Sequence, residues 1–414
     1  MKLKNKNNNG VLAKTLVSFI FLVFSFIFNS CNEDEFLEEV PLDFYSPENV
    51  YITYEDFDAA VMNLYAVYRT RFWDDSKSGG VYSVWRSTDL VHGTSSAGLI
   101  NYAGSLVPTN GTALAYFWEP AYQIIYDANT ILGRVDASEL TEEQKISIKA
   151  EAMFFRGFMY KLLANIYGGV PITLEETTEP TRDYVRATRQ ETYIQAAADL
   201  EYAAENLPNI DEADNTRINN LAAYHMLSEV YVSLERWQDA IDAASIVIDY
   251  PGMALMTERF GSNVDPEENK YPAPFENNYY GGDVFWDLFR PGNQNRSSGN
   301  TEAIWVTQYA IDVTGGGPSN GGFPLERQAC PRTYRSNLIN LDSTYQPIVP
   351  QPNTYLTGRG IGGMRPTNYF IWGVWEKSGF DQDMRNSPYN MVRDAPILNP
   401  ESDYYGKWLV KDSV

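Results

Sequence analysis

Residues 141–171 read TEEQKISIKAEAMFFRGFMYKLLANIYGGVP, and this stretch decides the fold. Thr141 followed three places on by Gln144 fits a capping box, in which each side chain satisfies a free amide at the start of a helix. Ile146, Ala150, Met153, Gly157, Tyr160, Ala164 and Tyr167 then recur at four-three spacing, which draws one stripe along a helix. Every seventh residue of that stripe is small (Ala150, Gly157, Ala164), so a neighbouring helix can approach closely. Phe154, Phe155, Phe158 and Leu162 occupy other faces, and a helix that is apolar on several sides is buried. Gly168, Gly169 and Pro171 end it.

The same grammar extends to both sides. Upstream, Phe57, Val61, Leu64, Tyr65 and Tyr68 form a stripe that predicts a helix from near Tyr54, and a second helix is expected over 119–134. Between them, residues 73–117 dissolve into Gly, Ser, Thr and scattered rings, which reads as a long aromatic loop. Downstream, Thr188 and Glu191 make another capping box, and Tyr193, Ala197, Leu200, Ala204 and Leu207 carry that helix to Pro208. Residues 219–234 and 238–249 form a further pair around a turn at Glu235-Arg236-Trp237. This pair fits the tetratricopeptide pattern through Tyr224, Leu227-Ser228, Tyr231 and Ala240, although Ala244 and Val247 stand where that pattern prefers Phe and Ala. Three such hairpins stack into a short solenoid. After Pro251 the texture changes to Gly, Pro, Asn and Tyr. A strand is expected at Ala303-Ile304-Trp305-Val306, and loop at Gly315-Gly316-Gly317 and Gly321-Gly322. The fold class is therefore mainly α, with tetratricopeptide-like helical hairpins over 54–250 and a loop-rich, irregular second half over 251–414.

The first residues concern address rather than fold. Lys2, Lys4, Lys6 and Lys14 make a basic start, residues 16–28 are mostly apolar, and Asn29-Ser30 lead into Cys31 and the acidic Glu33-Asp34-Glu35. A basic start, a short apolar run and a small residue at the junction read as a secretory signal over 1–30. The apolar run is shorter than the roughly 20 residues of a spanning helix. Cys31 directly after the small residue resembles the lipobox of bacterial lipoproteins, which implies a diacylglyceryl group on its thiol. Residues 31–53 would then be a polar tether. If Cys31 is acylated, Cys330 is left without a disulfide partner and stability rests on packing.

Composition narrows the partners. The 414 residues carry a net charge of −22, and removing the four lysines of residues 1–30 leaves 28 cations against 54 acids, a charge of −26. Such a chain repels phosphate backbones and anionic membrane surfaces, so nucleic acid is excluded and any membrane attachment falls to the lipid. Two histidines, His92 and His225, and one spare cysteine do not build a usual zinc site; no metal and no cofactor is expected. Gly317-Pro318-Ser319-Asn320-Gly321 matches a nucleophile-elbow pattern, but no apolar strand precedes it and both histidines lie before it, against the order that chemistry needs. Gly358-Arg359-Gly360-Ile361-Gly362-Gly363 matches a dinucleotide fingerprint, yet Pro366 blocks the helix it should open. Asp383-Met384-Arg385 reads as a local ion pair rather than half of a cation site with Asp381. No catalytic set stands out, and the chain reads as a binder rather than an enzyme.

Aromatic residues, at 14%, exceed what a core requires. Trp73, Tyr82, Trp85 and Tyr102 lie in the first loop, and Tyr279, Tyr280 and Trp286 in the second half. Flat rings stack on the weakly apolar faces of sugars while neighbouring Asn, Asp and Arg bond hydroxyls, so these seven are the glycan-binding candidates; the rival reading is that they pin loops to the helices.

Several stretches in order resemble the SusD/RagB family of Bacteroidota outer-membrane lipoproteins. They are Cys31 with Phe36-Leu37 and Pro41, residues 149–171, Ala198-Asp199-Leu200 through Asn206-Leu207-Pro208, residues 221–249, Glu302-Ala303-Ile304-Trp305, Arg365-Pro366-Thr367 and Asp383-Met384-Arg385. The resemblance implies a surface-exposed, non-catalytic glycan binder. It would be lipid-anchored in the outer membrane and would deliver oligosaccharide to a SusC-like TonB-dependent transporter. Family members usually continue into further helices, whereas this sequence stops at Val414, so the resemblance also implies a truncated form. The competing functions are a surface glycoside hydrolase and a peptide- or protein-binding helical repeat.

Overall fold

Three capping boxes start three of the helices. In the computed structural model, which describes residues 50–73, 85, 88–93, 104, 107, 111–262, 264–310, 313, 316, 328–335, 337–352 and 358–410, Thr53, Thr141 and Thr188 each accept a bond from an amide three residues on, and Asp56, Gln144 and Glu191 accept one from the cap. The signal, Cys31, most of the tether, Tyr82, Tyr102 and the elbow-like Gly317–Gly321 lie outside the described residues. The chain divides into two units, Met1–Ile52 and Thr53–Val414, and every element named below belongs to the second.

Helices α1 (Tyr54–Tyr68), α2 (Gly111–Val135), α3 (Glu142–Tyr167), α4 (Arg189–Asn206), α5 (Asn220–Ser233) and α6 (Trp237–Ile248) each pack on the next. The α3 stripe is buried at Ala150, Gly157, Tyr160 and Ala164, but its first residue, Ile146, faces solvent. Gly157 performs the close approach its spacing predicts. A Cβ there would lie 2.9 Å from both the Ala196 carbonyl oxygen and the Leu200 Cγ of α4. Gly168 ends α3 at φ 76°, where a glycine escapes the steric cost other residues meet.

Two charged clusters lock the helices together. Arg156 of α3 donates two bonds to Asp199 of α4, at 2.8 and 2.7 Å, and a third to Asn129 of α2 at 2.8 Å. Tyr65 of α1 donates to Glu151 of α3 at 2.5 Å and accepts from the Ile218 amide at 2.9 Å. Arg217 reaches both Glu151, at 3.0 Å, and Asp58, at 2.6 Å. Burial raises the Tyr65 hydroxyl well above its ordinary pKa and raises the Glu151 carboxyl too, against the Arg217 charge.

Asp127 of α2 is a third, weaker point. Burial pushes its carboxyl up to about 6, although a bond from Asn63 of α1, at 3.1 Å, opposes this. The folded chain therefore holds this proton more tightly than the unfolded chain. Stability falls as pH rises from the unfolded value of 3.8 to about 6, and the ionised carboxylate is a standing cost above that. Asp127→Asn is expected to raise stability at pH 7 by about 1 kcal/mol, a figure already reduced for partial solvent contact, and to change nothing at pH 3. Thermal denaturation at the two pH values checks this.

Several expectations need correction. α2 begins at Gly111, not near 119, and runs through Pro120. Packing carries it past the proline: Phe117 stacks on Phe72 at 6.2 Å, and Trp118 contacts Tyr122 and Tyr167 at 4.9 and 5.1 Å. Trp237 opens α6 rather than sitting in the turn, which is made by Glu235 at φ 59°. Residues 303–306 form no strand. Asparagine side chains satisfy that backbone instead: Asn219 donates to the Ile304 carbonyl at 2.7 Å, and the Asn300 Oδ1 accepts from the amides of Glu302 and Ala303 at 3.1 Å.

Beyond α6 the described structure is loops, short helical segments and short strands, which together with Val91–Gly93 make three two-stranded ribbons. β1 (Val91–Gly93) pairs antiparallel with β4 (Met364–Pro366), setting His92 opposite Arg365, so His92 is in a strand rather than a loop. β2 (Asn337–Ile339) pairs with β3 (Tyr345–Pro347), and β5 (Ala395–Pro396) with β6 (Trp408–Leu409). A small core of Tyr271, Phe275, Ile348, Val349, Ile397 and Leu398 supports this half.

Candidate functional site

Asp283 joins two distant segments. It caps the short helix α7 (Val284–Asp287), accepting from the Trp286 amide at 2.7 Å. The same carboxylate accepts from the Ser387 hydroxyl at 2.5 Å and from the Asn390 amide at 2.9 and 2.8 Å. An ion pair also fixes α7, where Arg259 donates to the fully buried Asp287 at 2.5 and 2.9 Å.

Between these segments lies a cleft of about 430 Å³, within the size range of ligand sites. One wall is Tyr280, Phe285, Trp286, Phe289 and Arg290. The other is Phe370, Trp375, Arg385 and residues 389–392. Trp375 donates its indole N–H to the Phe370 carbonyl at 2.8 Å, which fixes its ring. Trp286 is buried beneath Gly281, where a Cβ would come within 2.3 Å of the indole. Phe289 is the most open ring, at 61% exposure. Arg385 is paired with Asp383 at 2.9 and 2.7 Å, as its spacing predicts, and this pairing holds the Asp383 carboxyl at about 2.

The seven candidate aromatics separate. Tyr280 and Trp286 line the cleft. Tyr279, next in sequence, faces outward with the Lys270 ammonium 5.6 Å from its ring centre. Trp73 packs edge-on against Tyr68 of the helical body at 6.1 Å, at the end of the helical turn Arg69–Trp73 that continues α1. Trp85 is exposed and lies outside the cleft lining. Phe285, Phe289, Phe370, Trp375 and Tyr389 were not singled out from sequence. The signal was the ring density of Phe285-Trp286-Asp287-Leu288-Phe289 and of residues 369–375.

Among the described residues, no group of three or more His, Cys, Asp or Glu is placed to hold a metal ion, and no helix is long and apolar enough to cross a membrane.

Residues 43–232 match a SusD-like family described as starch-binding and associating with the outer membrane. SusD-like proteins P25 and P2 of Formosa agariphila are each 26% identical to this chain, over 315 and 310 residues. A crystal structure of a SusD-like protein from Bacteroides fragilis shares the fold with a TM-score of 0.55, at 21% identity over 80% of this chain and 55% of that one. These matches make the chain similar to the SusD/RagB family. The two Formosa matches cover 73% and 74% of this SusD-like chain but 53% and 55% of the relatives, so the chain spans about half the length of the curated relatives it matches. The family match ends at residue 232, whereas the cleft is built from residues 280–392. The cleft must therefore be read from its own chemistry.

Proposed function

We propose that this SusD-like protein captures an oligosaccharide in the cleft between α7 and residues 370–392, without cutting it, and presents it to a SusC-like TonB-dependent transporter at the outer membrane. The observation that carries the reading is a cleft of ligand size walled by rings from two segments that one carboxylate holds together. Rings at fixed spacing stack on sugar faces, and Asn390, Arg290 and Arg385 supply polar contacts. Hydrolysis is the weaker reading, because paired acids are its usual machinery and no Asp or Glu is among the described residues lining the cleft. Anchoring is assigned to acylated Cys31.

Phe289 offers the cleanest test, since it is open to solvent and carries little of the core. Phe289→Ala is expected to keep the fold and to weaken glycan binding by about tenfold, the loss of one stacking platform. Calorimetry against a ligand identified on a glycan array reads this. Trp85→Ala belongs in the same experiment: unchanged affinity keeps the site in the cleft, and a comparable loss extends it to the first aromatic loop. Membrane fractionation tests the anchor. Cys31→Ala is expected to move the protein from the membrane to the soluble fraction, and retention on the membrane would remove the lipid from the reading.

A further inference from the structure

The wall of the cleft opposite α7 is made from two stretches of chain, and an arginine behind it joins them. Phe370 and Trp375 come from the first stretch, and Tyr389, Asn390 and Met391 from the second. Arg393 is not among the lining residues. Its Nε and Nη2 donate to the Ile371 carbonyl, one residue beyond Phe370, at 3.2 and 2.5 Å. Its Nη1 donates to the Met391 carbonyl at 3.4 Å, and Nη2 donates also to the Asn386 side chain. The guanidinium lies 4.6 Å from the centre of the Trp372 ring and 5.4 Å from that of Phe380, and these two rings are parallel to within 6°. On the reading of the cleft as a glycan site, we propose that Arg393 is a positioning residue for it, setting Phe370 and Trp375 at the place from which they stack on the sugar.

The chemistry of the contacts favours geometry over charge. All four bonds of Arg393 end on uncharged oxygens, three times a backbone carbonyl and once an amide. Burial holds its pKa below the ordinary value, against the neighbouring Asp394 charge. A half-buried cation without a carboxylate on its fork loses hydration and gains no charge neutralisation there. What the fork does gain is direction, because its donors are fixed in one plane and hold two carbonyls at a set separation. The two clasps divide the work. Asp283 ties the 387–390 stretch to α7 through Ser387 and Asn390. Arg393 ties the 370–375 stretch to that same piece of chain. Without Arg393, Phe370 and Trp375 lose their place, while Phe289 on the other wall keeps its own.

The test is a pair of double-variant cycles read by calorimetry. The probe is the glycan that the wild-type protein binds most tightly on an array holding maltoheptaose, laminarihexaose, xylohexaose and an oligogalacturonate. Arg393→Met is expected to weaken binding about tenfold, as Phe370→Ala does alone, the loss of one stacking platform. In the Arg393→Met background Phe370→Ala should cost less than about twofold more, while Phe289→Ala should still cost its full tenfold. Arg393→Lys keeps the charge without the fork and is expected to behave as Arg393→Met. An equal cost of Phe370→Ala in both backgrounds overturns the positioning role and leaves glycan capture standing. So does a cost of Phe289→Ala that shrinks along with that of Phe370→Ala, since a general loss of structure dulls both. Full affinity in Arg393→Lys has the same force, and so has loss of the fold in both Arg393 variants by circular dichroism. Failure of every glycan on the array overturns the glycan site and the positioning role together.

Discussion

Replacing Asp199 with alanine is expected to destabilise the helical body by about 3–5 kcal/mol, the cost of leaving a buried charge without its partner. Arg156 and Asp199 are 6% and 3% exposed, so neither reaches solvent when the other is lost. The pair is bidentate, and Gln195 donates a further bond to Asp199 at 3.0 Å. After the substitution the guanidinium keeps only Asn129 at 2.8 Å and the Leu174 carbonyl at 3.4 Å, both uncharged. Because the group joins α2, α3 and α4, the loss falls on the centre of the stack. Urea denaturation followed by circular dichroism measures it. The double variant Arg156→Met with Asp199→Leu should recover most of the loss, since removing both charges removes the desolvation cost along with the attraction. A loss below about 1 kcal/mol in the single variant would mean that water reaches the guanidinium.

That cluster also marks where sequence reading stops. Helix starts were legible because a capping box spans four residues, and Thr141 with Gln144 and Thr188 with Glu191 close as their spacing predicts. The α4 stripe of Tyr193, Ala197, Leu200, Ala204 and Leu207 is buried throughout for the same reason, as periodicity is local. Arg156 and Asp199 are 43 residues apart, and nothing local announces that they meet. The one available signal was a charge set between Phe155 and Gly157, on a helix already read as buried. The cleft repeats the lesson at longer range. Ring-rich stretches near 285 and 370 are visible in sequence, but their juxtaposition depends on Asp283 and Asn390, 107 residues apart. Tyr279 and Tyr280 are adjacent, and only the second lines the cleft, a distinction set by the fold.

Trp305 is the second point at which one side chain decides much. Its expected strand does not form, yet its ring is seated in the helical body, stacked on Tyr68 at 5.7 Å and 26° and edge-on to Phe154 at 5.8 Å. Tyr65 and Phe155 complete the ring of contacts at 6.2 and 6.3 Å. The irregular segment around it gains no ladder of backbone bonds, so this aromatic key and the Asn219 bond to Ile304 hold it against α1, α3 and α5. Trp305→Ala is expected to cost about 2–3 kcal/mol, below the range for a fully buried tryptophan because the indole is half-buried. The distribution of the loss matters more than its size. Hydrogen exchange should quicken around residues 295–310, where few other apolar contacts resist opening, while α3 and α4 retain the protection set by their own core. Uniform quickening across all the helices would instead make Trp305 part of the helical core, and the segment it carries an integral layer of the stack rather than a cover keyed to it.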